Sequence, residues 1–128
     1  MVEKKILVVD DEASIRKMLK KAFTKAGYSV VLAESAEQAL ENLKDDPIQV
    51  MFFDLKLPGM SGINLCRIIR KENPIACIYS MTGFNSLFEL ADCRDAGFDD
   101  YFLKPIDLDI FLKTAEDAFE KIARWKKK

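Results

Sequence analysis

Histidine is absent from this chain of 128 residues. Its absence removes Ser-His-Asp and Cys-His catalysis, His-ligated zinc and any phosphohistidine. General-base work at neutral pH is left to carboxylates, a lysine or water. Cysteine is scarce: Cys66, Cys77 and Cys93 are odd in number and lack a CxxC spacing, which points to reduced structural thiols. No charge dominates either, since 20 basic residues face 21 acidic ones for a formal net charge of −1. That leaves no overall basic footprint for nucleic acid, although Lys126-Lys127-Lys128 is locally basic. No apolar run approaches membrane-spanning length, and Met1-Val2-Glu3-Lys4-Lys5 lacks the hydrophobic region of a signal peptide. A soluble, cytoplasmic protein is expected. There is no Pro/Gly-rich linker, low-complexity tract or internal repeat, so residues 1–128 are read as one domain, long enough to bury a proper core.

What is present is a set of apolar runs that each end in a reactive polar residue. Ile6-Leu7-Val8-Val9 runs into Asp10-Asp11, and Val50-Met51-Phe52-Phe53 into Asp54. Ile78-Tyr79-Ser80-Met81 meets Thr82-Gly83, and Tyr101-Phe102-Leu103 meets Lys104-Pro105. Runs of this length between helical patterns read as buried parallel strands. In an open parallel sheet the ligand crevice lies outside the carboxyl ends of the strands. Three carboxylates, a hydroxyl and an ammonium are thereby expected at one edge, a composition suited to metal-assisted handling of phosphate.

The intervening segments carry helical spacing. Ile15, Met18, Leu19, Ala22, Phe23 and Ala26 form one stripe, with Gly27 as its stop. Ser29 to Ala33 is a second strand. Ser35, with Gln38 three residues on, opens a helix through Ala39, Leu40 and Leu43 that ends before Pro47. The turn-rich Pro58-Gly59-Met60-Ser61-Gly62 leads into a helix carrying Ile63, Cys66 and Ile69. Another helix runs from about Ser86 to Ala96-Gly97, and Asp107 caps a last one with Phe111, Leu112, Ala115, Phe119 and Ile122 inward. Five strand–helix repeats with right-handed crossovers give a three-layer α/β sandwich.

Each candidate residue has a functional and a plain reading. Asp10 and Asp11 facing Asp54 repel one another, which a divalent cation relieves; hard oxygen ligands suit Mg²⁺, with Mn²⁺ as a substitute. The plain reading is a solvated acidic loop opening the next helix. Asp54 is either a nucleophile that becomes an aspartyl phosphate or an Asx turn before Pro58-Gly59. The Thr82 hydroxyl can hydrogen-bond a phosphoryl oxygen, with Gly83 leaving room, or the pair is a simple turn. Lys104 ends a buried strand, where pairing with Asp54 would satisfy its ammonium. Pro105 is expected to follow a cis bond in the tight turn.

Taken jointly, Asp10-Asp11, Asp54, Thr82 and Lys104-Pro105, in order on strands one, three, four and five, resemble the motif set of response-regulator receiver domains of two-component signalling. The resemblance spans essentially the whole chain. It implies the flavodoxin-like (βα)5 fold with a parallel five-stranded sheet in the order 2-1-3-4-5. It implies that Asp54 takes a phosphoryl group from a phosphohistidine on a sensor histidine kinase or phosphotransfer protein. Asp11, Asp54 and the backbone carbonyl of Lys56 would bind Mg²⁺ directly and Asp10 through water. Lys104 and Thr82 would hold the phosphoryl oxygens, and Tyr101 would be the aromatic that turns inward when the Thr82 hydroxyl moves. The fourth helix, fifth strand and fifth helix, with Leu90 and Leu103, would then present the output surface to a downstream effector protein or domain, or to a second copy in a phosphorylation-dependent dimer. No direct nucleic-acid or membrane contact by this domain is implied. Such a domain catalyses only its own phosphorylation and dephosphorylation and is a switch, not a metabolic enzyme. Lys56 and Phe84 would flank the in-line route of water, favouring a long-lived phosphorylated state.

Other classes stay open at this stage. A haloacid-dehalogenase-like Mg²⁺-dependent phosphatase combines similar groups but needs Asp-x-Asp after strand one, where this chain has Asp10-Asp11-Glu12. A flavin- or nucleotide-binding module needs a glycine- or hydroxyl-rich loop at that point. A degenerate receiver acting only as a binding module would not require the intact motif set.

Overall fold

A computed structural model gives the fold, described for residues 3–83 and 86–127 and, at Phe88, for the backbone alone. Ten elements alternate along the chain: β1 (Lys5–Val9), α1 (Ala13–Lys25), β2 (Ser29–Ala33), α2 (Ala36–Asp45), β3 (Val50–Asp54), α3 (Gly62–Glu72), β4 (Cys77–Thr82), α4 (Leu87–Ala96), β5 (Asp100–Leu103) and α5 (Leu108–Lys126). The five strands form one parallel sheet in the order β2-β1-β3-β4-β5. Strand order reverses between β1 and β3, which is where a ligand crevice opens.

Burial on both faces explains the unbroken apolar runs of β1, β3 and β4; β5, expected to be a buried strand, lies at the sheet edge and is half-buried to exposed. Leu7, Val9, Met51, Phe53 and Ile78 point towards α2, α3 and α4, packing on Ala39, Leu65, Cys66, Ile69 and Ala96. Ile6, Val8, Phe52, Tyr79 and Met81 point the other way, onto Leu19 and Phe23 of α1 and Phe111, Ala115 and Ile122 of α5. Phe52 sits at the centre of that second layer, its ring centroid 5.0–5.4 Å from those of Phe23, Tyr79 and Phe111. Aromatic pairs at these separations add to the free energy of burial alone.

The helix ends follow side-chain chemistry. Ser35, Ser61 and Ser86 each accept the amide three residues on at 3.1 Å, and Asp107 accepts those of Asp109 and Ile110. Gln38 Oε1 in turn accepts the Glu34 amide at 2.6 Å. One local expectation needs correction. Ala26 is the exposed C-cap of α1 and not part of its inner stripe, because the helix ends at Lys25. The Lys104–Pro105 bond is cis, as expected.

Candidate functional site

Where β1 ends, the Asp10 amide still donates to the Ala33 carbonyl at 3.1 Å, carrying the pairing with β2 one residue further. Asp10 is therefore fully buried, whereas Asp11 and Glu12, one and two residues on, are exposed. Asp10 Oδ1 accepts the Glu12 amide at 2.9 Å and folds the chain back over the crevice. On the neighbouring strand Asp54 is 5% exposed, and its Oδ1 accepts the Lys56 amide at 3.3 Å. The first residue of α3 packs directly on this strand: a Cβ on Gly62 would collide with the Asp54 carbonyl. Only glycine admits that approach.

Lys104 closes the pocket from β5. Its Nζ lies 3.0 Å from Asp10 Oδ2, 3.1 Å from Glu12 Oε1 and 3.5 Å from Asp54 Oδ2. Its amide donates to the Thr82 carbonyl at 2.7 Å, so the end of β4 is locked to the same turn. Thr82 is buried and opposite Leu103, and Tyr101 is paired with Ser80 on the same two strands. The Tyr101 hydroxyl donates to Glu89 Oε1 at 3.0 Å. Asp10, Asp11, Asp54 and Lys104 are thus brought together as the sequence pattern anticipated. Lys56 enters through its amide, and Phe84 lies outside the described residues.

Ligand oxygens of Asp10, Asp11, Glu12 and Asp54 all lie within 4.8 Å of one another. Crowding and burial raise the cost of their charge. Burial foremost, then the Asp10 carboxylate, pushes Asp54 up to about 6, against the pull of Lys104 and the Lys56 amide. Burial likewise raises Asp10. Burial alone would lower Lys104, but its bonds to Asp10 and Glu12 outweigh that and hold its ammonium above the usual range. Asp10 Oδ2 is buried, with the Lys104 ammonium at 3.0 Å as its partner. Four carboxylates supplying clustered hard oxygens suit a small divalent cation, so the residues present fit Mg²⁺.

The chain and its fold have known relatives. The family model for the response regulator receiver domain matches residues 6–116. The chain belongs to the response-regulator receiver family. It is 35% identical over 105 residues to a probable transcriptional regulator, ycf27, of Porphyridium aerugineum, covering 82% of this chain and 43% of that protein. It therefore spans less than half the length of that relative. A CheY-like receiver domain from Methanospirillum hungatei matches with a TM-score of 0.88 and 31% identity, covering 96% of this chain and 99% of that one. A beryllofluoride-activated NtrC4 receiver domain, a dimer, matches with a TM-score of 0.85 and 28% identity over 91% of this chain and 97% of that one. Receiver domains are the signalling switches of two-component systems, bind Mg²⁺ at an acidic pocket, and interact with kinases and effectors. No described helix is long and apolar enough to cross a membrane.

Glu12, Arg16 and Gly62 were not singled out from sequence. Glu12 adjoins the acid pair, and that adjacency was its signal. Arg16 and Gly62 gave none, because their parts depend on which backbone atoms the fold brings beside them.

Proposed function

We propose that residues 1–128 form a phospho-accepting receiver in which Asp54 takes a phosphoryl group from a phosphohistidine of a sensor histidine kinase or phosphotransfer protein. The observation that carries this reading is the Asp54 carboxylate at the mouth of β3, with Lys104 Nζ at 3.5 Å and the acid pair alongside. An Asp54 oxygen attacks phosphorus, the P–N bond breaks, and its electron pair leaves with the partner's imidazole. Lys104 then exchanges a carboxylate partner for a phosphoryl oxygen, and the Thr82 hydroxyl donates to another. Asp11, Asp54 and the Lys56 carbonyl would hold Mg²⁺, with Asp10 behind them. When bound, the ion offsets the charge that gathers on the phosphoryl oxygens. Reactions of this kind need placement and charge neutralisation more than side-chain proton transfer, which suits a site without histidine. Hydrolysis by water resets the switch, and Lys56 beside the site would slow it.

The output follows from charge reaching packing. A phosphoryl group on Asp54 draws the Thr82 hydroxyl and Lys104 towards itself, and Tyr101 fills the space beneath. The face of α4, β5 and α5 changes with it, and Leu90 and Leu103 stand exposed there for an effector or a second copy. The setting is cytoplasmic, where sensor kinases present their phosphohistidines.

Intact-mass measurement after incubation with Mg²⁺ and acetyl phosphate tests the proposal. One phosphoryl group is expected on the wild type and none on Asp54→Asn. Undiminished labelling of Asp54→Asn would move the acceptor elsewhere, and an unlabelled wild type would favour a receiver that only binds.

A further inference from the structure

The acid pocket is carried by two loops, and the corner between β2 and α2 reaches both. Arg16, in the first turn of α1, donates from Nη1 to the Asp10 carbonyl at 2.8 Å and from Nη2 to Glu34 Oε1 at 3.0 Å. The Arg16 side chain is only 14% exposed, so its grip on the Asp10 carbonyl is sheltered, while its Glu34 partner, 69% exposed, faces solvent. The carbonyl it grips belongs to the peptide joining Asp10 to Asp11. Fixing that peptide fixes the direction in which Asp11 leaves the strand.

On the other side Glu37 Oε2 accepts the Met60 amide at 3.1 Å. Gly59, next to it, has φ +75°, and a Cβ there would lie 2.8 Å from the same Glu37 oxygen. The left-handed turn and the close carboxylate both call for glycine. This loop leaves Asp54 and returns at Gly62, whose amide donates to the Leu55 carbonyl at 3.0 Å. The corner itself is cross-linked by two hydrogen bonds: the Glu34 amide donates to Gln38 Oε1 at 2.6 Å and the Gln38 amide to Ser35 Oγ at 3.1 Å.

We propose that Arg16 and Glu37 are positioning residues: through the β2–α2 corner they fix the Asp10–Asp11 turn relative to the 55–61 loop and so set the affinity of the pocket for a divalent cation. The inference rests on the Mg²⁺ reading given above. Neither side chain would touch the ion. Mg²⁺ tolerates little departure from an octahedron of oxygens at about 2.1 Å, so small drift in either loop weakens binding. Geometry and charge make opposite forecasts for Arg16. Removing its positive charge deepens the negative potential, which by Coulomb attraction alone tightens cation binding. Loss of the brace loosens it.

Titration of the full chain with Mn²⁺, reading free ion by electron paramagnetic resonance, separates the two. Arg16→Met and Glu37→Ala are each expected to raise the Mn²⁺ dissociation constant about tenfold, the scale found for groups that orient metal ligands. Glu37→Gln keeps an acceptor for the Met60 amide and is expected to bind within about twofold of wild type, where charge loss alone would weaken it as Glu37→Ala does. Arg16→Lys keeps the charge but not the fork, so it should also bind more weakly, and it carries the test if Arg16→Met does not fold. Wild-type binding with unchanged or tighter binding by the Arg16 variants, or equal loss in Glu37→Gln and Glu37→Ala, overturns the inference alone. A wild type that binds no Mn²⁺ overturns the metal reading and the inference with it.

Discussion

Tyr101 donates its hydroxyl to Glu89 Oε1 at 3.0 Å, which fastens β5 to the first turn of α4. Burial, and then the bond to Glu89, hold this phenol above its usual range, so it remains a donor throughout the physiological span. The fastening matters because α4 is lightly held: among its described side chains only Cys93 and Ala96 are buried. Its far end is pinned differently, by Arg70, which donates from Nη2 to the Gly97 carbonyl at 2.6 Å and to Asp99 Oδ2 at 3.0 Å. A helix tied at both ends and thinly packed between them can be repositioned at low cost.

The inward rotation proposed for Tyr101 would break its bond to Glu89. A hydrogen bond to a charged group contributes about 1.5–3 kcal/mol, so its loss should favour the rotated state by roughly tenfold or more. Glu89→Ala is expected to move the Tyr101 ring resonances of the unphosphorylated chain towards their activated positions. Glu89→Gln keeps an acceptor and should move them little. Unshifted resonances in Glu89→Ala would show that the bond is no latch.

Stability should depend on pH through Asp54. Its carboxyl sits at about 6 in the fold, whereas an unfolded Asp titrates near about 3.9. Between these values the folded chain holds a proton that the unfolded chain has released. The stabilisation from this proton is full below about pH 4 and is lost as pH rises through about 6, and Asp10, raised by burial, acts in the same direction. Through Asp54 the metal-free chain should lose on the order of 1 kcal/mol between about pH 5 and 7.5, and Asp54→Asn should flatten that slope. Mg²⁺ competes with the proton, so its effect on the thermal midpoint should be small near pH 5 and grow towards pH 7.5. An equal Mg²⁺ effect at both values would count against cation binding by these carboxylates.

Gly62→Ala should disturb the nucleophile strand without altering any reactive group. The added methyl meets the Asp54 carbonyl, and backbone on both sides leaves little to yield. Overpacking of this kind costs typically 1–3 kcal/mol, roughly. Urea unfolding should show that loss, with slower labelling by acetyl phosphate. A variant as stable as wild type would mean that α3 can withdraw from β3 freely.

Most of this fold could be read from the chain because the parallel strands buried on both faces, β1, β3 and β4, are continuous apolar runs that each end at a polar residue. Val50 to Phe53 followed by Asp54 is the plainest case. The ends of α4 were legible from Ser86 and Gly97, although its inner face was not, since few of its side chains are buried. The lysine was foreseen to pair with Asp54, yet its shortest contacts are with Asp10 and Glu12. The distinction depends on how the Asp10 turn folds, through the Glu12 amide, the Ala33 carbonyl and Arg16. Hydrophobic period carries no information about such contacts. Gln38 makes the same point: its spacing from Ser35 marked the helix start correctly, but only the fold shows that its side chain reaches Glu34.

Thr82→Ala should separate phosphorylation from its consequence. Thr82 is buried at the end of β4, its carbonyl bound to the Lys104 amide and its Cα opposite Leu103. Replacing it by alanine leaves that backbone bond, Asp54, Lys104 and the acid cluster in place, so labelling by acetyl phosphate should persist. What is lost is the hydroxyl, the group proposed to move to a phosphoryl oxygen and vacate the space beneath Tyr101. A ligand shifts a two-state equilibrium only through its differential affinity for the two states, and without that bond the phosphoryl group discriminates less between them. Beryllofluoride added to wild type should therefore shift resonances at Asp54, Tyr101 and along α4, including Leu90. In Thr82→Ala the shifts at Asp54 should remain while those at Tyr101 and α4 shrink. A full Tyr101 response in Thr82→Ala would remove the hydroxyl from the relay. Wild-type shifts confined to the surroundings of Asp54 would remove the relay itself.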